Sequence, residues 1–188
     1  EEEQGMVEMK MDMMGMPATM TLYFDDYGKR QATYVAMEMM GKKMETATLM
    51  EGGFTTTWEA ESKSGKKMKS DGTNGGPLEL IAGLTDERKK TLNYKEIDSR
   101  EILGHNATGF SIDSGGAKMN VWHWKGIPLM MEVNASQMKM TITATKLDTE
   151  TEVPADKFTI PSDVKISEGG AMSGSLPESK PEGADTSK

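Results

Sequence analysis

From residue 6 to residue 20 the chain reads MVEMKMDMMGMPATM, and its first half puts an apolar side chain at every second position. Val7, Met9, Met11 and Met13 alternate with Glu8, Lys10 and Asp12. Successive side chains of a β-strand leave on opposite sides, so this spacing gives one greasy face and one charged face. A half-buried antiparallel strand fits that pattern.

The rhythm continues to about residue 147. After Gly15 and Pro17, the residues Ala18, Met20, Leu22 and Phe24 share one face against Thr19, Thr21 and Tyr23. Asp25-Asp26-Tyr27-Gly28 has turn composition, because Asp bonds its own backbone and Gly tolerates positive φ. Val35, Met37 and Met39 resume the pattern, and Gly52-Gly53 supplies a tight hairpin turn before Phe54, Thr56 and Trp58. Turns recur roughly every 10 to 13 residues, the spacing of a meander of hairpins. The loop SDGTNGGP at residues 70–77 interrupts it. LELIAGLTDERKKTLNY, residues 78–94, is the one helical region, with Thr85 as a cap and Asp86 and Glu87 in the first turn. Strands follow in YKEIDSREILG, ATGFSID, AKMNVWHW, LMMEVN and MKMTITAT.

These elements predict a mainly β protein: a curved antiparallel sheet of about 10–11 strands, an unclosed half-barrel, with one short helical segment on its concave side. Residues 1–5 read as an acidic leader, 6–167 as one domain, and 168–188, EGGAMSGSLPESKPEGADTSK, as a disordered tail with too little to bury.

Composition narrows function by exclusion. Lys and Arg number 22 against 30 Asp and Glu, a net charge of -8, which disfavours nucleic acid and anionic lipid surfaces. Without cysteine there is no disulfide, thiolate metal site or Cys nucleophile. No apolar run approaches the roughly 18 residues of a membrane-spanning helix. A chain that begins at Glu1 reads as mature or trimmed, consistent with a removed export signal or lipid-anchored leader.

The 19 methionines admit two readings. Met11, Met13, Met14 and Met16, with His105 or His123, supply the soft ligands of a Cu(I) site. Yet the same alternation recurs at Met37 and Met39 and at Met138 and Met140, a habit that a local metal trap leaves unexplained. Core use covers all of it. Met is unbranched and polarisable, so a sheet face lined with it can pack against a flexible acyl chain as readily as against its own core.

Trp122 and Trp124 share a face and form either a stacking platform or a structural cover. His105 and His123 lack a Ser/His/Asp, HExxH or carboxylate–His setting. The Asp25-Asp26 pair lacks calcium-loop spacing, and the glycines form neither a dinucleotide fingerprint nor a Walker loop. No enzyme chemistry and no cofactor are expected.

The order TLYFDDYGKR, EILGHNATGFSI, VWHWKGIPLMMEV, MKMTITATKL and VPADKFTIPSDVKI resembles a family of exported bacterial domains of unknown function that is similar to the outer-membrane lipoprotein carriers (LolA/LolB-like). The likeness spans most of residues 6–166. It implies a half-barrel with helical cover, a location in the periplasm or at the outer membrane, and an apolar concavity for acyl chains. The partner expected is then a lipid or lipidated protein. Candidate lining residues are Met9, Met11, Met13, Leu22, Met37, Met138 and Met140, with Trp122 and Trp124 at the rim. The alternatives are an envelope structural protein without a ligand and a periplasmic Cu(I) binder.

Overall fold

A computed structural model describes residues 2–70, 76–114, 116–136 and 138–168. The segment read as a disordered tail falls, from residue 169, outside the described residues. Strands β1 (Gly5–Met13), β2 (Met16–Asp25), β3 (Arg30–Met39), β4 (Lys42–Glu51), β5 (Phe54–Glu59) and β6 (Ser64–Lys69) form the first run of hairpins. Helices α1 (Pro77–Ala82) and α2 (Asp86–Thr91) follow. The second run is β7 (Lys95–Ile102), β8 (His105–Ser114), β9 (Ala117–Trp124), β10 (Ile127–Ala135) and β11 (Met138–Asp148), and the described chain ends in β12 (Lys165–Glu168).

All twelve strands belong to one unclosed sheet, ordered β12-β6-β5-β4-β3-β2-β1-β11-β10-β9-β8-β7. Each hairpin run is a meander, and the two are sewn together where β1 pairs antiparallel with β11. That order forces two crossings. The chain leaves β6 near one edge and re-enters at β7, the opposite edge, so the stretch carrying α1 and α2 must pass over a face. After β11, in the middle, it must return to place β12 beside β6. Residues 149–164 make that second crossing on the other side.

The register identifies the faces. Val7 pairs with Leu22, Met9 with Met20, Met11 with Ala18 and with Ile142. These side chains join Phe24, Phe110, Val121, Leu129, Met131 and Leu78 of α1 in one buried cluster. The side bearing α1 is the inner face. On the outer face Ala32, Ala47, Leu49 and Trp58 pack under Phe158, with Val153, Ile160 and Val164 of the second crossing. The Tyr34 hydroxyl donates to the Lys157 carbonyl at 2.7 Å, and the Arg30 guanidinium lies 4.5 Å above the Phe158 ring. The sheet is therefore strapped on both sides.

The expected open antiparallel sheet is present, with two differences from the sequence reading. β12 is a twelfth strand, paired parallel with β6. Parallel pairing leaves no hairpin signal, and KISE has no apolar alternation. The single helical region is two helices. Gly83 closes α1 by donating to Glu79, and the Thr85 hydroxyl then accepts from the Arg88 amide at 3.3 Å to start α2, the cap that the sequence predicts. Among the described residues no helix is long and apolar enough to cross a membrane.

Candidate functional site

The inner face is open at two places. At the end where β2 and β4 finish and β3 and β10 begin, a cleft of about 670 Å³ lies between α1 and the sheet. This falls within the roughly 300–1,000 Å³ typical of small-molecule sites. Its walls are Phe24, Met50, Leu78, Ile81 and Ile127, and its lining also includes Gln31, Glu79, His123, Lys125 and Glu2. The Gly76 amide donates to the Met50 sulfur at 3.0 Å, which holds the start of α1 against β4. The Gln31 amide nitrogen donates to the Gly28 carbonyl at 2.8 Å. The Gln31 Oε1, Glu79 Oε2 and His123 Nδ1 atoms are buried without a partner among the described residues. Burial pushes the His123 pKa down, because the imidazolium would lose hydration there.

At the opposite end the inner face carries methionines. Met13 pairs with Met16 on β2 and with Met140 on β11. Met37 pairs with Ala18 and with Met44. Period 2 places Met138 beyond Met140 on the same face. Exposure rises toward this end: Met9 is 2% exposed and Met11 8%, Met13, Met37 and Met140 are half-buried, and Met44, Met138 and Met16 are 39%, 41% and 50% exposed. The inner face is therefore buried in its middle and in contact with water at the methionine end.

Of the residues singled out in the sequence, Met9, Met11, Met13, Leu22, Met37, Met138 and Met140 all fall on the inner face. Trp122 and Trp124 share the other face. Trp122 pairs with Gly109 and Met130, whereas its neighbour Val121 pairs with Phe110 and Met131 of the inner cluster. The Trp122 indole donates to the Asp98 carbonyl at 2.9 Å under Arg100, and Trp124 stacks near His105 with ring centroids 4.2 Å apart. His105 and His123 sit at the cleft end of β8 and β9, away from Met13 and Met16, so the Cu(I) set that joins methionines to a histidine is not assembled. Among the described residues no group of three His, Cys, Asp or Glu side chains could hold a harder metal ion.

The cleft residues Gln31, Met50, Leu78 and Ile127 did not emerge from the sequence. They come from β3, β4, α1 and β10, and only the sheet order brings them together. The phase of β2 carried a partial signal, since Phe24 shares a face with Leu22.

Fold and site define the class of an open antiparallel sheet with a helical strap over an apolar face. No family model and no curated protein matches the sequence. Solved structures do match. An uncharacterised conserved protein from Thermus thermophilus superposes with a TM-score of 0.62 at 8% identity, covering 89% of this chain and 91% of that one. MucB, solved in complex with MucA(peri), matches with a TM-score of 0.51 at 10% identity, over 87% of this chain but 56% of MucB. A LolA-superfamily protein from Nitrosomonas europaea also matches, with a TM-score of 0.39 at 8% identity over 84% of this chain and 90% of that chain. At identities of 8–10% these likenesses are of fold alone.

Proposed function

We propose that this protein shelters a flexible apolar ligand, the acyl chain of a lipid or of a lipidated polypeptide, on its inner face within the bacterial cell envelope, and catalyses no reaction. The observation that carries this reading is the incomplete cover of that face. The stretch carrying α1 and α2 packs on the inner cluster through Leu78, Leu80, Leu84 and Leu92, a cleft of about 670 Å³ remains beside α1 at one end, and half-exposed methionines remain at the other. Apolar surface of this kind is uncommon on a protein that works alone in water.

The mechanism is burial. Each ligand CH₂ withdrawn from water contributes about 0.8 kcal/mol, with little directional demand. Thioether side chains with three rotatable bonds adapt to a chain of no fixed shape. Met9, Met11, Met13, Leu22, Met37, Met138 and Met140 line the path, and Phe24, Met50, Leu78 and Ile127 line the cleft. The two tryptophans, on the other face, support β7 and β8 rather than touch the ligand. MucB, a match in fold, was solved in complex with MucA(peri), which supports capture of a partner as a reading for this chain.

Native mass spectrometry of protein purified from its own host tests the proposal. A co-purifying lipid or lipopeptide adduct, lost on delipidation and restored by added acyl chains, is the expected result. Bare protein that also takes up no fluorescent fatty acid would leave a structural envelope role instead.

A further inference from the structure

We propose that Met13, Met16 and Met140 form a thioether site for one soft monovalent cation, Cu(I) or Ag(I). The three stand side by side on adjacent strands at one register, Met140 beside Met13 and Met13 beside Met16. Side chains paired in this way have Cβ atoms about 4.5–5.5 Å apart. Methionine's three rotatable bonds let the sulfurs close that gap around a single ion. Thioethers select Cu(I)-type ions over the hard cations that carboxylates take, and the chain's charge of -8 draws cations of any kind.

The frame around the three is fixed. The Asp12 carboxylate accepts from the Gly15 amide at 3.0 Å and closes the β1–β2 turn, so Met13 and Met16 stay opposed. The Met14 amide donates to the Lys139 carbonyl at 3.2 Å, tying that turn to β11 beside Met140. Access is open, because Met16 is 50% exposed and Met13 and Met140 are half-buried. Core packing accounts for Met9 and Met20, which are 2% and 5% exposed, but not for a water-facing methionine such as Met16. The chain has no cysteine that would take the ion first. The site differs from a Met–His arrangement in using thioethers alone.

The test is anaerobic titration of the full chain with Cu(I) held by a competing chromophoric chelator, and in parallel with Ag(I). Wild-type protein should withdraw one equivalent of either ion. The M13L/M16L/M140L variant should bind at least tenfold more weakly, while M40L, altered at a turn residue outside the site, should match wild type. The chelator competition is run without lipid, so loss of ion affinity in the variant and failure of the wild type to take up fatty acid are separate results, one bearing on this site and the other on the acyl-chain reading. Should the triple variant not fold, M16L alone, at an exposed position, reads the same loss. The methyl ¹³C resonances of Met13, Met16 and Met140 should move on adding Ag(I). Wild-type protein that cannot compete with the chelator, a triple variant that binds equally, or shifts confined to other methionines would each overturn the site.

Discussion

Trp122 lies directly against Gly109 on the outer face of the sheet. A Cβ added to Gly109 would meet the Trp122 indole nitrogen and Ile97 at 2.7 Å and the Asp98 carbonyl at 2.9 Å. The missing side chain lets the indole reach across β8 to bond Asp98 at 2.9 Å, with the Arg100 guanidinium 4.0 Å above its ring. The β7–β8 ladder shifts register between Ile97 and Arg100, where β7 makes room for this contact.

Gly109→Ala should therefore destabilise the fold by about 1–3 kcal/mol, the usual cost of overpacking. Urea unfolding followed by tryptophan emission checks it. The same substitution at Gly104, a turn glycine with nothing within 4 Å of the added carbon, meets no such clash and shows only backbone strain from its positive φ.

How much of this was legible in the sequence depends on the range of the interaction. The alternation of Val7, Met9 and Met11 with charges is local, and the structure buries those residues as the pattern requires. The Thr85 cap is local too. The alternation of VWHW puts Trp122 and Trp124 on one face together, but the side on which that face lies depends on pairing β9 with β10, whose register shifts between Pro128 and Met130. No window of sequence contains that information. The cleft is still less accessible, since its walls belong to strands from both meanders. Phe158, in the segment FTIP, is the plug of the outer face, a role that only the second crossing gives it.

Phe158→Ala should cost about 3–5 kcal/mol, the range for emptying a buried aromatic site. The ring is 6% exposed, packs on Ala32, Leu49 and Trp58, and carries Arg30 on its face. The loss should be regional. In hydrogen exchange, protection of β12 and of the Lys165 amide, which donates to the Lys63 carbonyl at 2.8 Å, should fall before that of β1 and β11.

A cleft that holds acyl chains should be closed by filling it. Ile81 lines the cleft from α1 and is half-buried, so a larger side chain there can enter the open volume. Ile81→Trp should reduce fluorescent fatty-acid uptake at least tenfold with little change in the urea midpoint. The same substitution at Tyr34, which packs against the outer cluster, should lower stability instead. Equal uptake by Ile81→Trp and wild type would move the ligand out of the cleft and onto the methionine end alone.

His123 gives the fold a pH dependence of definite sign. Its pKa is lowered because burial penalises the imidazolium, and its Nδ1 has no partner among the described residues to offset that. The unfolded chain has an ordinary histidine, near 6.5. Between that value and the lower folded one, the unfolded state binds a proton that the folded state resists, so stability falls with falling pH. The contribution is whole above about pH 6.5 and is lost as pH drops through the folded-state pKa. Glu2, Glu79 and Lys125 also line the cleft, so the raw pH profile mixes several groups. The difference between wild type and His123→Gln isolates the histidine. Urea midpoints measured from pH 7.5 to pH 5 should fall less steeply in the variant. Parallel profiles would show that His123 titrates alike folded and unfolded, and that its ring is reached by water after all.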